Sequence, residues 1–140
     1  MTRETRAITD SAFDLSSTIV HLGLGATATP VPGLAWTPEF LDAYGQRFAG
    51  DGDEGRMVVI VTQTETWDSW ERHPVGEEVV VLLSGRVDII QEIDGRPRTV
   101  ALHPGEAVVN PKGVWHTADV HEAGDGLFIT PGRGTEHRPR

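Results

Sequence analysis

The hydrophobic pattern of the chain changes near residue 56. From there to residue 130, short stretches rich in β-branched residues alternate with turn residues, and this pattern predicts strands. Asp94-Gly95 is a strong signal for a hairpin turn. No helical pattern interrupts the stretches, so we expect an all-β sandwich or barrel. The predicted strands are residues 56–62, 66–73, 78–83, 86–93, 98–103, 106–109, 114–120 and 126–130.

Before residue 56 the pattern is mixed. Residues 18–22 are apolar and predict an edge strand, whereas residues 23–33 are rich in glycine and proline and predict an irregular connection. Thr37 and Pro38 are typical of a helix start, and the apolar residues after them recur at helical spacing. We therefore expect one short amphipathic helix over residues 38–48, with its apolar face on the barrel or on a partner subunit.

The remaining segments are polar. Residues 1–16 predict a segment that is loose at its start. Residues 131–140 form a polar, locally basic tail, for which we expect a free end rather than one ordered across a partner or the barrel mouth. Residues 50–55, GDGDEG, fail the EF-hand calcium pattern after the second acid, so a solvated turn is expected there. A length of 140 residues is typical of one domain. We divide that domain into residues 1–55 with a strand, a helix and loops, a barrel core over 56–130, and a tail over 131–140.

Charge excludes several classes of partner. The net charge is −9, from 21 acidic and 12 basic residues, and such a surface repels nucleic acid and anionic membranes. The first ten residues lack the pattern of a signal peptide, and no apolar run is long enough to span a bilayer. We therefore expect a cytoplasmic protein. Eleven of the twelve basic residues are arginine, which suggests a GC-rich bacterial genome.

Histidine and carboxylate are the only strong metal ligands available, because the chain contains no cysteine. Alternate residues of a strand share a face, so Glu71 and His73 lie on one face of the strand that ends at His73. Glu78 opens the next strand, and His116 lies on a third. If these faces point inward, His73, Glu78 and His116 meet beside Glu71 and can bind one metal ion. Each residue alone has a structural explanation, such as a strand-end hydrogen bond or a solvated charge.

Two segments resemble the paired motifs of the cupin superfamily. His73-x4-Glu78-x6-Gly85 is similar to the first motif, and Gly105-x5-Pro111-x-Gly113-x2-His116 is similar to the second. Glu71 stands where the family usually has its first histidine, Glu65 where the motif has glycine, and Val120 where it has asparagine.

The resemblance implies a double-stranded β-helix, the jelly-roll barrel of that family. It implies His73, Glu78 and His116 as ligands of one divalent transition metal, which would be Fe, Mn, Zn or Ni. For Glu71 the alternatives are a further ligand, a catalytic base or a structural ion pair.

The resemblance also implies a small organic molecule in the barrel as substrate or ligand. The first hypothesis is a metal-dependent enzyme of dioxygenase, isomerase, epimerase or lyase type. The alternative is a non-catalytic module that binds a small molecule with or without metal, and a third possibility is a metal-free structural dimer. The apolar N-terminal helix and strand further favour a homodimer.

The other histidines and the tryptophans receive weaker predictions. His103 precedes a Pro-Gly turn and is expected to face solvent, and His21, His121 and His137 are assigned no role. Trp67 shares the face of Glu71 and His73, so it is expected to wall a pocket. Trp36 and Trp115 are expected outside the barrel or at a subunit contact.

Overall fold

The computed structural model describes residues 11–140, so the expectations for the first ten residues lie outside the described part. One regular α-helix, α1 (Pro38–Arg47), lies within that part, and short 3₁₀ segments cover Leu24–Ala26 and Ala49–Glu54. None of the described helices is long and apolar enough to cross a membrane. The strands are β1 (Thr18–Gly23), β2 (Thr27–Pro32), β3 (Arg56–Gln63), β4 (Ser69–Arg72), β5 (Glu78–Leu82), β6 (Arg86–Ile93), β7 (Arg96–Leu102), β8 (Ala107–Asn110), β9 (His116–Glu122), β10 (Gly124–Thr130) and β11 (Glu136–Pro139).

The strands form two antiparallel sheets. One has six strands in the order β2-β1-β3-β10-β5-β8, and the other has five in the order β11-β4-β9-β6-β7. Neighbours such as β10 and β3 are distant in sequence, as expected for a jelly roll in which strands alternate between sheets. The prediction of an all-β jelly roll is confirmed.

Side chains from both sheets form the core. Their positions follow the alternation of the strands: Glu78, Val80 and Leu82 on β5 are buried, and the residues between them are less so. The five-stranded sheet contributes Ile89 on β6 and Ala118 on β9. Because alternate residues of a strand point inward, a polar residue at one of these inward positions also points into the barrel.

The N-terminal strands differ from the prediction in one respect. Residues 23–33 were expected to be irregular, but Thr27–Pro32 pairs with β1 as strand β2. β1 therefore has neighbours on both sides, and β2 is the edge. Pro30 and Pro32 cannot donate a ladder hydrogen bond, and an edge strand tolerates this.

Helix α1 confirms the predicted helix to within one residue. Its start is capped because the Thr37 side chain accepts a hydrogen bond from the amide of Phe40 at 3.2 Å. Phe40, Tyr44 and Phe48 pack against the core, so the apolar face covers the barrel of the same chain. The following segment is more than a solvated turn, because the Asp51 carboxylate accepts a hydrogen bond from His21 Nε2 at 2.6 Å.

The expectation of a loose tail over residues 131–140 is wrong. Glu136–Pro139 pairs with β4 as strand β11, at the edge of the five-stranded sheet. Three ion pairs attach it to the barrel, two through arginines of this segment and one through Glu136. These ion pairs are Arg72 with Glu136, at 2.9 Å, Arg138 with Glu92, and Arg140 with Asp119.

Candidate metal centre

Three strand ends deliver the candidate ligands. Glu71 lies on β4, His73 follows directly after that strand, and Glu78 opens β5. His116 opens β9 and pairs with Glu71 across the sheet. The turn before His116 is fixed to the same place, because the amide of Gly113 donates to the carbonyl of His73 at 2.9 Å. Backbone pairing thus brings together residues that are 45 positions apart in sequence.

The four side chains form one cluster. Their ligand atoms all lie within 4.8 Å of one another. His73 Nε2 is 3.0 Å from Glu71 Oε1 and 3.2 Å from Glu78 Oε2. His116 Nε2 is 3.3 Å from Glu78 Oε1 and 3.8 Å from Glu71 Oε1. His73, Glu78 and His116 are almost fully buried, whereas 23% of the Glu71 side chain is exposed.

Two nitrogen atoms in the cluster lack a hydrogen-bond partner. The Nε2 atoms of His73 and His116 are buried, and neither makes a hydrogen bond of acceptable geometry with the nearby carboxylates. Buried polar atoms are normally hydrogen-bonded or bound to an ion. Two imidazole nitrogens and two carboxylates form a donor set suited to a divalent transition metal. The residues present therefore fit the metal that the family resemblance implies.

A hydroxyl group on the C-terminal segment orients His73. Thr135 Oγ1 donates its only proton to the carbonyl of Gly132 at 2.8 Å, and it lies 2.8 Å from His73 Nδ1. The hydroxyl oxygen must then accept from Nδ1–H, so the neutral ring carries its proton on Nδ1. Nε2 is left with a free lone pair that faces the cluster, as a metal ligand requires.

Both oxygens of Glu78 are held by neutral donors. Asn110 Nδ2 donates to Oε1 at 2.9 Å, and Thr130 Oγ1 donates to Oε2 at 2.6 Å. Gln91 Nε2 in turn donates to Asn110 Oδ1 at 2.9 Å. Gln91, Asn110 and Glu78 are each no more than 2% exposed. Such a buried network fixes the position of the carboxylate but supplies no positive charge to it.

Glu71 faces both the cluster and the barrel opening. Its Oε1 faces the two histidines, and its Oε2 lies 3.0 Å from Nε2 of His137 on β11. Burial acts to raise the pKa of Glu71, but contacts with His116 and His73 outweigh it and hold the pKa well below its ordinary value. The carboxylate is therefore ionised at neutral pH.

Carboxylates also control the charge of His73. Burial acts to lower its pKa, but Glu71 and Glu78 outweigh that effect and raise the pKa to about 9. At neutral pH in the absence of metal, His73 is therefore protonated and offsets part of the carboxylate charge. A cation that binds the cluster must displace this proton.

The sequence prediction named the cluster but missed the groups behind it. Thr135 and His137 lie in the segment expected to be loose, and no local pattern identifies Gln91 or Asn110. His103 is exposed as predicted, with 63% of its side chain accessible. Trp67 lies on the barrel side as predicted, with its ring centre 6.1 Å from that of His116. His21, to which no role was assigned, is buried between Tyr44 and Asp51.

A protein-family comparison agrees with this geometry. The model of the cupin domain matches residues 56–122, which include all four residues of the cluster. The chain therefore contains a cupin domain over residues 56–122. The expected family is thus confirmed, although Glu71 replaces the usual first histidine of the cupin motif. No curated protein matches the sequence at a significant level.

Solved structures of cupin proteins are similar to this chain at low sequence identity. A cupin-2 domain protein from Shewanella frigidimarina is 24% identical, with a TM-score of 0.46 over 64% of this chain and 72% of that one. A cupin superfamily protein from Desulfitobacterium hafniense is 17% identical, with a TM-score of 0.46 over 54% and 65%. Oxalate decarboxylase of Bacillus subtilis, which has Mn(II) centres, is 18% identical, with a TM-score of 0.51 over 68% and 26%. These similarities describe the cupin barrel alone.

Proposed function

We propose that the protein is a cupin that binds one divalent transition metal through His73, Glu78 and His116, with Glu71 as a fourth ligand. The observation that carries the proposal is the pair of buried, unpartnered Nε2 atoms that face two carboxylates. In a metal-free protein this arrangement leaves two polar atoms unsatisfied. A single cation satisfies both nitrogens and both carboxylates.

The donor set limits which metal ions the cluster can bind. Nitrogen and oxygen donors without sulfur suit Fe, Mn, Zn or Ni, and two carboxylates balance the charge of a divalent ion. The Mn(II) centres of oxalate decarboxylase, whose fold is similar, make manganese one of the metals to test.

We further propose that the protein is an enzyme that acts on a small organic molecule in the barrel, by oxygenase, isomerase, epimerase or lyase chemistry. A bound metal of this kind supplies Lewis acidity and, for iron or manganese, redox chemistry. Glu71 is the proposed proton acceptor, because it is the member of the cluster that is partly exposed and lines the cavity. His137 positions the second oxygen of Glu71 through the 3.0 Å contact.

Metal analysis of untagged protein tests the first step. We expect close to one transition-metal ion per chain after purification without chelator, and loss of that metal in His116→Ala. His103→Ala is the matched control, because His103 is exposed and outside the cluster. Absence of metal from the wild type, together with no rise in Tm on adding Fe, Mn, Zn or Ni, contradicts the proposal.

Glu71→Gln tests the enzyme step separately. The amide keeps an oxygen donor but cannot accept a proton at neutral pH, so we expect metal to remain bound while turnover of a substrate found by panel screening falls by about 10²–10⁴-fold. Metal binding without product formation or oxygen uptake across the panel would instead support the non-catalytic binding module.

A further inference from the structure

A cavity of about 1230 Å³ opens beside the ligand cluster, and most of its lining surface is apolar. Small-molecule sites commonly enclose about 300–1,000 Å³, so this space admits a molecule of at least that size. Met57, Val59 and Val61 line one wall from the inward face of β3. Phe128 and Trp67 contribute aromatic rings. A flat apolar body is the shape and chemistry that such walls accept.

Helix α1 forms a fixed roof over this cavity. Tyr44 and Phe48 line it from above. His21, 4% exposed, holds both residues, because its Nδ1 lies 2.5 Å from Tyr44 Oη and its ring stacks on Phe48 with centres 3.8 Å apart. The second ring nitrogen is bound to Asp51. The roof is therefore fixed to strand β1, and the cavity is preformed.

The charges that line the cavity are predominantly negative. The single guanidinium of the lining, on Arg133, already pairs with Asp53 at 3.1 Å. Even with a divalent ion bound, Glu71 and Glu78 balance its charge, so no net positive potential remains to attract an anion. Five carboxylates line the space: Asp42, Glu65, Asp68, Glu71 and Glu78.

We propose that this cavity selects an uncharged or cationic organic molecule with a flat apolar body, such as an aromatic alcohol or amine, and rejects carboxylates and phosphates of the same shape. This inference rests on the metal centre proposed above for any chemistry, but the selection itself depends on the cavity walls. His73, whose Nε2 is unpartnered, lines the cavity beside Glu71 and Glu78, and this group marks the end that a polar group of the ligand approaches.

A charge-matched probe series tests the selection. We would titrate 2-naphthylmethanol, 2-naphthylmethylamine and 2-naphthoate into metal-loaded and metal-free protein at low salt, following tryptophan fluorescence and calorimetry. We expect the alcohol and the amine to bind with a Kd at least about tenfold lower than the carboxylate. Equal or tighter binding of 2-naphthoate to both forms overturns the proposal.

Charge reversal at the cavity mouth tests whether the charge of the cavity, and not only its shape, discriminates between the probes. Asp42 and Glu65 are exposed, so the double variant Asp42→Lys/Glu65→Lys should leave the fold intact. We expect it to lower the ratio of the Kd of 2-naphthoate to the Kd of 2-naphthylmethanol by about threefold or more. Glu54→Lys/Glu122→Lys makes the same change in net charge on exposed residues outside the cavity and should leave the ratio unchanged. An equal effect of both double variants contradicts local selection.

Filling the cavity tests the location. Val61→Trp should weaken binding of the alcohol and the amine by about tenfold or more without changing metal content. The control Val109→Trp places the same ring on a 49% exposed residue that does not line the cavity. Selective binding by protein that takes up no metal would refute the metal centre alone, whereas metal uptake without selective binding would refute the ligand class alone.

Discussion

The metal affinity of the cluster depends on side chains that do not face it. A neutral histidine binds metal through the ring nitrogen that does not carry the proton. For His73, the hydroxyl of Thr135 accepts a hydrogen bond from Nδ1–H, so Nε2 is the nitrogen that can bind metal. For Glu78, the hydrogen bonds from Asn110 and Thr130 fix the position of both oxygens. The ligands are thus held in place before any ion arrives.

Removal of the hydroxyl should therefore weaken metal binding at a distance. We expect Thr135→Val to raise the Kd for Zn²⁺ or Mn²⁺ by about 10–100-fold, because Nδ1–H of His73 loses its acceptor and the ring loses its fixed orientation. Isothermal titration calorimetry measures the change. Thr135→Ser should restore binding, and Thr99→Val, on an exposed residue of β7, should have no effect. An unchanged Kd in Thr135→Val would show that the ring is oriented by other contacts.

Metal binding should also release a proton. The pKa of His73 in the metal-free protein is raised to about 9, so the ring is protonated at pH 7.5 and must lose a proton to become a ligand. We expect metal affinity to rise with pH up to about 9 and then to level off. Calorimetry at pH 7.5 in two buffers of different ionisation enthalpy should report the release of about one proton per ion. Identical heats in the two buffers would argue against this exchange.

The strands show how far local pattern determines the fold. From β3 to β10, alternation and turn residues locate each strand to within a few residues, and the phase of β5 correctly turns Glu78 inward while Glu77 is exposed. Local pattern fails at β2, because the glycine and proline residues of positions 23–33 predict an irregular segment. The strand forms through backbone pairing with β1. Local pattern fails again at β11, which pairs with β4 through its backbone and is accompanied by ion pairs between arginines and acidic residues distant in sequence.

Strand β11 should be required for the metal centre. A variant that ends at Pro131 loses Thr135 and His137, the residues that contact His73 and Glu71. We expect a higher Kd for metal, by about 10–100-fold or more, and a lower Tm because the edge of β4 loses its partner. Circular dichroism and calorimetry measure both effects. The triple variant Arg133→Gln/Arg138→Gln/Arg140→Gln keeps the strand and should raise the Kd for metal by less than the truncation does. A truncated chain that binds metal with the wild-type Kd contradicts the expectation.

The predicted homodimer depends on apolar surface left after folding. Phe40, Tyr44 and Phe48 are used within the chain, but Trp36 remains 58% exposed and Leu41 38% exposed beside them. A contiguous exposed apolar patch often marks a contact with another protein chain. We expect light scattering at micromolar concentration to give twice the 15.2 kDa chain mass, and Trp36→Lys to halve it. A monomeric mass for the wild type refutes the dimer.

A metal ion in the cluster would tie the two sheets together. Glu71 and His116 belong to the five-stranded sheet, and Glu78 belongs to the six-stranded sheet, so one ion joins both. Because only the folded chain assembles these ligands, free metal at 100 times its Kd should stabilise the fold by about 2.7 kcal/mol, or roughly 8 °C in Tm.

Adjacent glutamates provide a matched test of this stabilisation. Glu78→Gln removes a buried ligand, and Glu77→Gln makes the same substitution on the exposed neighbour. We expect the metal-induced rise in Tm to survive in Glu77→Gln and to be lost in Glu78→Gln. The Tm of each chelator-treated variant supplies the baseline, so that any effect of the substitution on the metal-free fold is subtracted. If both variants show the full rise, the ion binds elsewhere and the two sheets are held by their apolar core alone.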